Sequence, residues 1–168
     1  CPHPDDCYAK KPEKQWADTC PQYRRRQELI WKSTTADSWA RQFIAIVKRK
    51  RNPVHELRFC ESGDFWGIPC IKKMDKIARI VKNELGIPTY TYTARKDLFE
   101  RGAFDFDRTV VVNGSGFKVD NRFDVVIEFS GKKGVRKCAC KGAQAGICGI
   151  KCRNCMIAGG YTTEALTH

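Results

Sequence analysis

HELRFCESGDFWGIPCIKKMDKIARIVKNELGIPTYTYT, residues 55–93, changes its hydrophobic period twice. HELRFC (55–60) reads as a strand that runs into the turn ESGDFWG. From Pro69 onward, Ile71, Met74, Ile77, Ala78, Val81 and Leu85 recur at the three-and-four spacing that gathers side chains on one helix face. Gly86, followed by Ile87-Pro88, supplies a helix stop. PTYTYT (88–93) then favours the pleated state through its β-branched and aromatic content. A strand, a helix and a second strand in this order predict a βαβ unit with parallel strands and a right-handed crossover.

Upstream of that unit, Tyr23–Trp31 predicts a short basic helix. Thr35 can cap a second helix, in which Trp39, Phe43, Ile46 and Val47 share a face that ends before Pro53. These aromatics suit a core better than a cofactor box. Downstream, a helical turn near Asp97–Arg101 leads to strands at TVVVN (109–113) and DVVIEF (124–129). Beyond Ser130 the chain turns to glycine, lysine and cysteine without periodicity. The expected fold is α/β, with a largely parallel sheet. Residues 1–130 would form this domain, with an N-terminal cysteine loop, and residues 131–168 a Cys-rich metal-binding extension packed on it.

The chain has 168 residues, enough for one domain with a sizeable core. It has no apolar run long enough for a transmembrane span, and its polar start does not read as a signal peptide. Thirty-one Lys and Arg against nineteen acids give a net charge of +12. The cations cluster at 24–26, at 48–51 and across 132–137. Such density raises affinity for any polyanion through counterion release, which makes nucleic acid a candidate partner, though a solubilising surface has the same composition. Trp16, Trp31, Tyr90 and Tyr92 are candidate stacking platforms.

Ten cysteines are the strongest compositional signal, and five of them, Cys138, Cys140, Cys148, Cys152 and Cys155, fall within eighteen residues. Cys138 and Cys140 would both need partners inside one short loop, so metal ligation suits this crowding better than disulfides. Thiolates at short spacing can converge on one centre, and Gly142, Gly146 and Gly149 let the chain turn tightly. Four sulfurs serve either tetrahedral zinc or a 4Fe–4S cluster, and ligand softness does not separate the two. Cys60, at a strand end, reads as a small buried hydrophobe or as a ligand.

In an open α/β sheet, ligands gather beyond the carboxyl ends of the strands. Those ends carry Glu61, Ser62, Gly63 and Asp64, then Arg95, then Asn113 and Ser115. Helix capping by Glu61 and Asp64, a surface role for Arg95 and an ordinary turn at NGSG (113–116) are the competing readings.

Several stretches resemble phage- and plasmid-encoded radical-SAM-like proteins: CYAKKPE (7–13), RFCESGDFWG (58–67), TYTARKDL (91–98) and the Cys-rich tail. The resemblance implies a bacterial cytoplasmic protein whose parallel sheet is reduced, partly open and partial-barrel-like, with Cys1 and Cys7 as iron–sulfur ligands. The Glu61–Asp64 turn would lie against the amino group of S-adenosylmethionine, and Arg95, Asn113 and Ser115 would face the same cavity. Glu61, Asp64 and Arg95 are then candidate catalytic residues. Ser62, Gly63, Asn113 and Ser115 are candidate cofactor contacts. CGIKCRNC (148–155) has the C-x3-C-x2-C spacing of a radical SAM cluster loop but follows the last expected strand, so it reads as part of a metal knot with Cys138 and Cys140. A third ligand for Cys1 and Cys7 would come from this tail, from Cys20 or from residues before Cys1. The expected function is an iron–sulfur protein and candidate S-adenosylmethionine-cleaving enzyme. The alternatives are a non-catalytic, zinc-stabilised nucleic-acid-binding protein and a secreted disulfide protein.

Overall fold

The structure, a computed structural model, describes residues 10–60, 63–138 and 152–166. Its centre is a six-stranded, all-parallel sheet that does not close. The strands are β1 (Leu57–Arg58), β2 (Thr89–Thr93), β3 (Val111–Ser115), β4 (Asn121–Val126), β5 (Val135–Cys138) and β6 (Thr162–Leu166), in spatial order β1-β2-β3-β4-β6-β5. The helices are α1 (Lys10–Gln15), α2 (Cys20–Ser33), α3 (Ala36–Arg49), α4 (Ile68–Leu85) and α5 (Lys96–Glu100). Among the described residues, no helix is long and apolar enough to cross a membrane.

The 55–93 stretch folds as the expected strand–helix–strand unit. Pro69 lies in the first turn of α4, and Gly86 ends it in the left-handed conformation at φ 68°, which glycine adopts without a Cβ clash. Ile71, Ile77, Ala78 and Val81 are fully buried along α4, with Met74 beside them. Each of the larger side chains gains about 1.5–3 kcal/mol from leaving water. They pack against Leu57, Phe59, Val110 and Val112 from the sheet. Thr35 caps α3 as expected, its hydroxyl accepting from the Ser38 amide at 3.1 Å. Trp31 of α2 meets Trp39 and Phe59 in edge-on ring contacts, and the Lys73 ammonium donates to the Trp31 and Thr34 carbonyls where α2 ends.

Strand positions differ from expectation in four places, the smallest being β3, which runs over Val111–Ser115 against an expected 109–113. β1 has only two residues, because the ladder to β2 runs through Leu57 and Arg58 alone. β4 begins three residues before the expected 124–129 run, since pairing starts with Asn121 opposite Asn113. Ile127, inside that apolar run, is instead 90 % exposed. The segment beyond Ser130, expected to lack regular structure, contributes β5 and β6, and β6 slots between β4 and β5.

The β3–β4 connection, residues 116–120, is short for parallel neighbours, which usually need a dozen residues or more. It suffices because β4 starts opposite Asn113, so the chain retreats only two rungs, about 7 Å, before running forward again. Gly114 makes room for the return: a Cβ there would lie 2.4 Å from the Phe117 carbonyl oxygen. Asp120 fastens the loop by a bidentate pair with Arg108, both bonds 2.7 Å, and by accepting from the Val112 amide at 2.8 Å.

Candidate metal centre and strand-end rim

Alternation along the strands separates two faces. Leu57, Phe59 and Val112 point to the helices. Arg58, Tyr90, Tyr92, Asn113, Asn121 and Phe123 occupy the other face, as their register and the Tyr92–Phe123 ring contact at 4.8 Å require. The segment from Cys152 to Tyr161, with a 3-10 turn at Asn154–Met156, packs on that second face.

Two buried asparagines hold it there. Asn113 Nδ2 donates to the Thr91 carbonyl at 3.0 Å and to the Cys155 carbonyl at 2.9 Å, while its Oδ1 accepts from Asn121 Nδ2 at 3.1 Å. Asn121 Nδ2 also donates to the Ile157 carbonyl at 3.0 Å, and its Oδ1 accepts from the Gly159 and Tyr161 amides at 3.3 and 3.1 Å. Both are about 1 % exposed, so each polar atom must be satisfied inside the protein, and each is. Asn113, expected among the cofactor contacts, therefore has its amide donors and its acceptor committed to this latch.

Tyr92 lies beside the latch. Burial raises its phenol above the usual range, and the neighbouring Cys155 side chain, to which it is hydrogen bonded, adds to the effect. The Arg58 guanidinium lies 5.0 Å over the Tyr92 ring. On the far side, Arg136 Nη1 donates to Asn154 Oδ1 at 2.7 Å and stacks 3.2 Å over the Tyr161 ring. Cys138, two residues after Arg136 on β5, shares its face by alternation. The structure thus brings Cys138, Cys152 and Cys155 to one side of the sheet, opposite the helices. None of the three is in a disulfide. Among the described residues no three His, Cys, Asp or Glu converge closely enough to hold a metal ion. Cys1, Cys7, Cys140 and Cys148 lie outside the described residues.

The carboxyl ends of β1 and β2 form a separate rim. Asp64 Oδ1 accepts from Thr93 Oγ1 at 2.7 Å and from the Phe65 amide at 2.7 Å, and Oδ2 accepts from the Ala94 amide at 2.6 Å. Arg95 Nη1 donates to the Phe65 carbonyl at 2.6 Å, and its Nε and Nη2 embrace Asp97 at 2.7 Å each. The Arg95 guanidinium in turn lowers the Asp97 carboxyl to about 2. Asp64 and Arg95 are thus brought together, though not as a pair with each other. Both tie the Gly63–Gly67 turn to the end of β2. Ser115 is exposed at the end of β3, and Gly63, at φ 128°, has open space around its α-carbon. Glu61 and Ser62 lie outside the described residues.

Cys60 has φ 54°, the one non-glycine in the left-handed region among the described residues. That conformation costs roughly 1–2 kcal/mol in an L-residue, so the rim around it is over-determined. Burial pushes its thiol up to about 12, and burial raises Cys70 too, so both remain protonated at neutral pH. Cys70 is buried and Cys60 half-buried. A groove of about 530 Å³, lined by Arg41, Lys48 and Glu84 among others, runs between α3 and α4. No protein-family model, curated protein or solved structure matches this chain.

Proposed function

We propose that this chain is an iron–sulfur protein whose cysteine-rich segment doubles as the second covering layer of a parallel sheet. The observation that carries the reading is that Cys138, Cys152 and Cys155, none of them in a disulfide, share the helix-free side of the sheet, with the Cys155 backbone clamped by Asn113. Sheets of this kind need both faces covered. A segment rich in Gly, Lys and Cys cannot cover one by hydrophobic burial alone, so soft-metal ligation is a fitting source of the missing cohesion. Thiolates from these three cysteines, completed from Cys140 and Cys148, fit the donor set of such a cluster, with Cys1 and Cys7 as further ligands from the N-terminal side. Lys137 and Arg153 offset the charge of a thiolate centre. The Tyr92 hydroxyl and the Asn113 amide orient the Cys155 side, the kind of outer support that metal ligands commonly need.

S-adenosylmethionine cleavage is the finer part of the proposal. A reduced cluster would supply one electron to that cofactor. The chain's own contribution is the rim formed by Gly63 and Ser115. Asp64 and Arg95, with their polar atoms already engaged, act there as positioning residues that hold the rim's shape. A zinc centre on the same cysteines is the second reading, favoured by the site's position as a covering layer instead of at the strand ends.

Metal and acid-labile sulfide content of anaerobically purified protein decides between them. Iron and sulfide in equal amounts, with visible absorbance that disappears in Cys152→Ser and Cys155→Ser variants, is the expected result. Colourless protein that holds zinc after anaerobic reconstitution overturns the iron–sulfur proposal and leaves the zinc reading.

A further inference from the structure

Helix α2 buries none of its residues, an unusual state for fourteen residues of a small α/β protein. It meets the core through Trp31, and half-buried Arg24 pairs with Glu13 of α1. Its outward arc is left with Tyr23, Arg25, Arg26, Leu29, Ile30 and Lys32, all exposed. Ahead of the helix, the turn over residues 16–19 carries Trp16. The Trp16 amide bonds to Pro12 O, that of Cys20 to Trp16 O and that of Tyr23 to Thr19 O, all at the i−4 spacing of an α-helix. Within α2, Tyr23 and Ile30 recur two turns apart as one stripe at 62 and 45 % exposure, and Trp16, 58 % exposed, lies in the turn that joins α1 to α2. Arg26 projects between Tyr23 and Ile30, and Arg25 borders Leu29 one turn on. The only carboxylate on α2, Glu28, is taken by Lys32. The Lys32 ammonium also lies 6.0 Å from the ring of Trp66, which is 53 % exposed. Over residues 10–33 seven cations stand against three carboxylates.

We propose that this face of α1–α2, with Trp66 at its border, is a docking surface for single-stranded nucleic acid. The cations suit a phosphate backbone, and the exposed rings suit unpaired bases, which stack on aromatic side chains without regard to sequence. A bilayer asks for an apolar side clear of charge, whereas here cations and apolar side chains interleave on the same arc. The surface also replaces three of the stacking platforms expected from sequence. Trp31 is half-buried among Trp39 and Phe59, Tyr90 is buried, and Tyr92 lies under Cys155. Trp16 remains, and Tyr23 and Trp66 join it. The inference stands whether the tail holds iron–sulfur, zinc or neither.

Fluorescence anisotropy with a labelled oligothymidylate, titrated from low to high salt, tests it. Arg25→Gln together with Arg26→Gln is expected to flatten the slope of log affinity against log salt by about 1.4, two charges at roughly 0.7 each. Trp16→Ala and Tyr23→Ala are each expected to weaken binding by about tenfold without changing that slope. Thermal melts by circular dichroism should leave all four substitutions near wild type, since none touches the core. Any of three results overturns the proposal: equal affinity for a duplex of the same length with no effect of Trp16→Ala or Tyr23→Ala; binding to phosphatidylserine vesicles but not to the oligonucleotide; or a concentration-dependent dimer that Tyr23→Ala dissolves.

Discussion

The two faces of the sheet are covered by different physics. On one, α4 and α3 bury a continuous apolar surface, and cohesion comes from water excluded around Ile71, Ile77 and Val81. On the other, the Cys152–Tyr161 segment is held by two asparagines, a tyrosine and a stacked arginine, with Met156 its one buried residue of apolar type. Apolar burial is non-directional and tolerates change of partner, whereas the polar latch works only when every donor meets its acceptor. The first face should therefore hold the fold, and the second should be able to open by itself.

The largest effect is expected from Ile77→Ala, which leaves a cavity at a fully buried site on α4. It should lower the unfolding free energy by about 2–5 kcal/mol in chemical denaturation, whatever the state of the cysteines. Asn121→Ala comes next. It leaves Asn113 Oδ1, the Ile157 carbonyl and two amides without their partner, each costing roughly 1–3 kcal/mol where it stays dry. Because the tail can lift and let water in, the total should stay below that sum. Hydrogen exchange should show lost protection over 152–161 and unchanged protection in α4. Uniform loss across both regions would erase the distinction between the faces.

The smallest effect belongs to the rim. Asp97 has its carboxyl lowered to about 2 from an ordinary 3.8 by Arg95. Its contribution is fully present above the unfolded value near 3.8 and is lost as pH falls toward 2. Asp97→Asn should leave the melting temperature at pH 7 little changed, because the carboxylate is exposed to solvent. It should also reduce the additional loss of stability between pH 4 and 2. An unchanged acid limb in the variant would show that Asp97 does not contribute there.

The contrast between the faces is also the contrast between what the sequence revealed and what it hid. α4 and the Thr35 cap were legible because their signals are local: a periodic face, a proline near one end, a glycine at the other. The tail strands were not, because VRKC and TTEAL carry little apolar patterning and gain their order only by pairing with each other and with β4. The start of β4 was hidden for a related reason. VVIEF looks like the better strand, yet Asn121 sets the register through partners thirty-six to forty residues away. At the candidate site, a polar residue at a strand end suggested that Asn113 meets a ligand. Its carbonyl partner at Cys155 lies forty-two positions downstream, where no local pattern could point to it. Asp64 and Arg95 were correctly grouped at one edge, but their engagement by backbone groups across the turn needed coordinates.

The insertion of β6 between β4 and β5 also governs how the chain can be made. On a ribosome, β1 to β4 can assemble as they emerge, because each pairs with a strand already synthesised. β5 cannot, since its one partner among the described residues is β6, which follows it by more than twenty residues. A nascent chain halted after Tyr161 would therefore lack two strands and not one. Cys152 and Cys155 would then precede the strand that completes their side of the sheet.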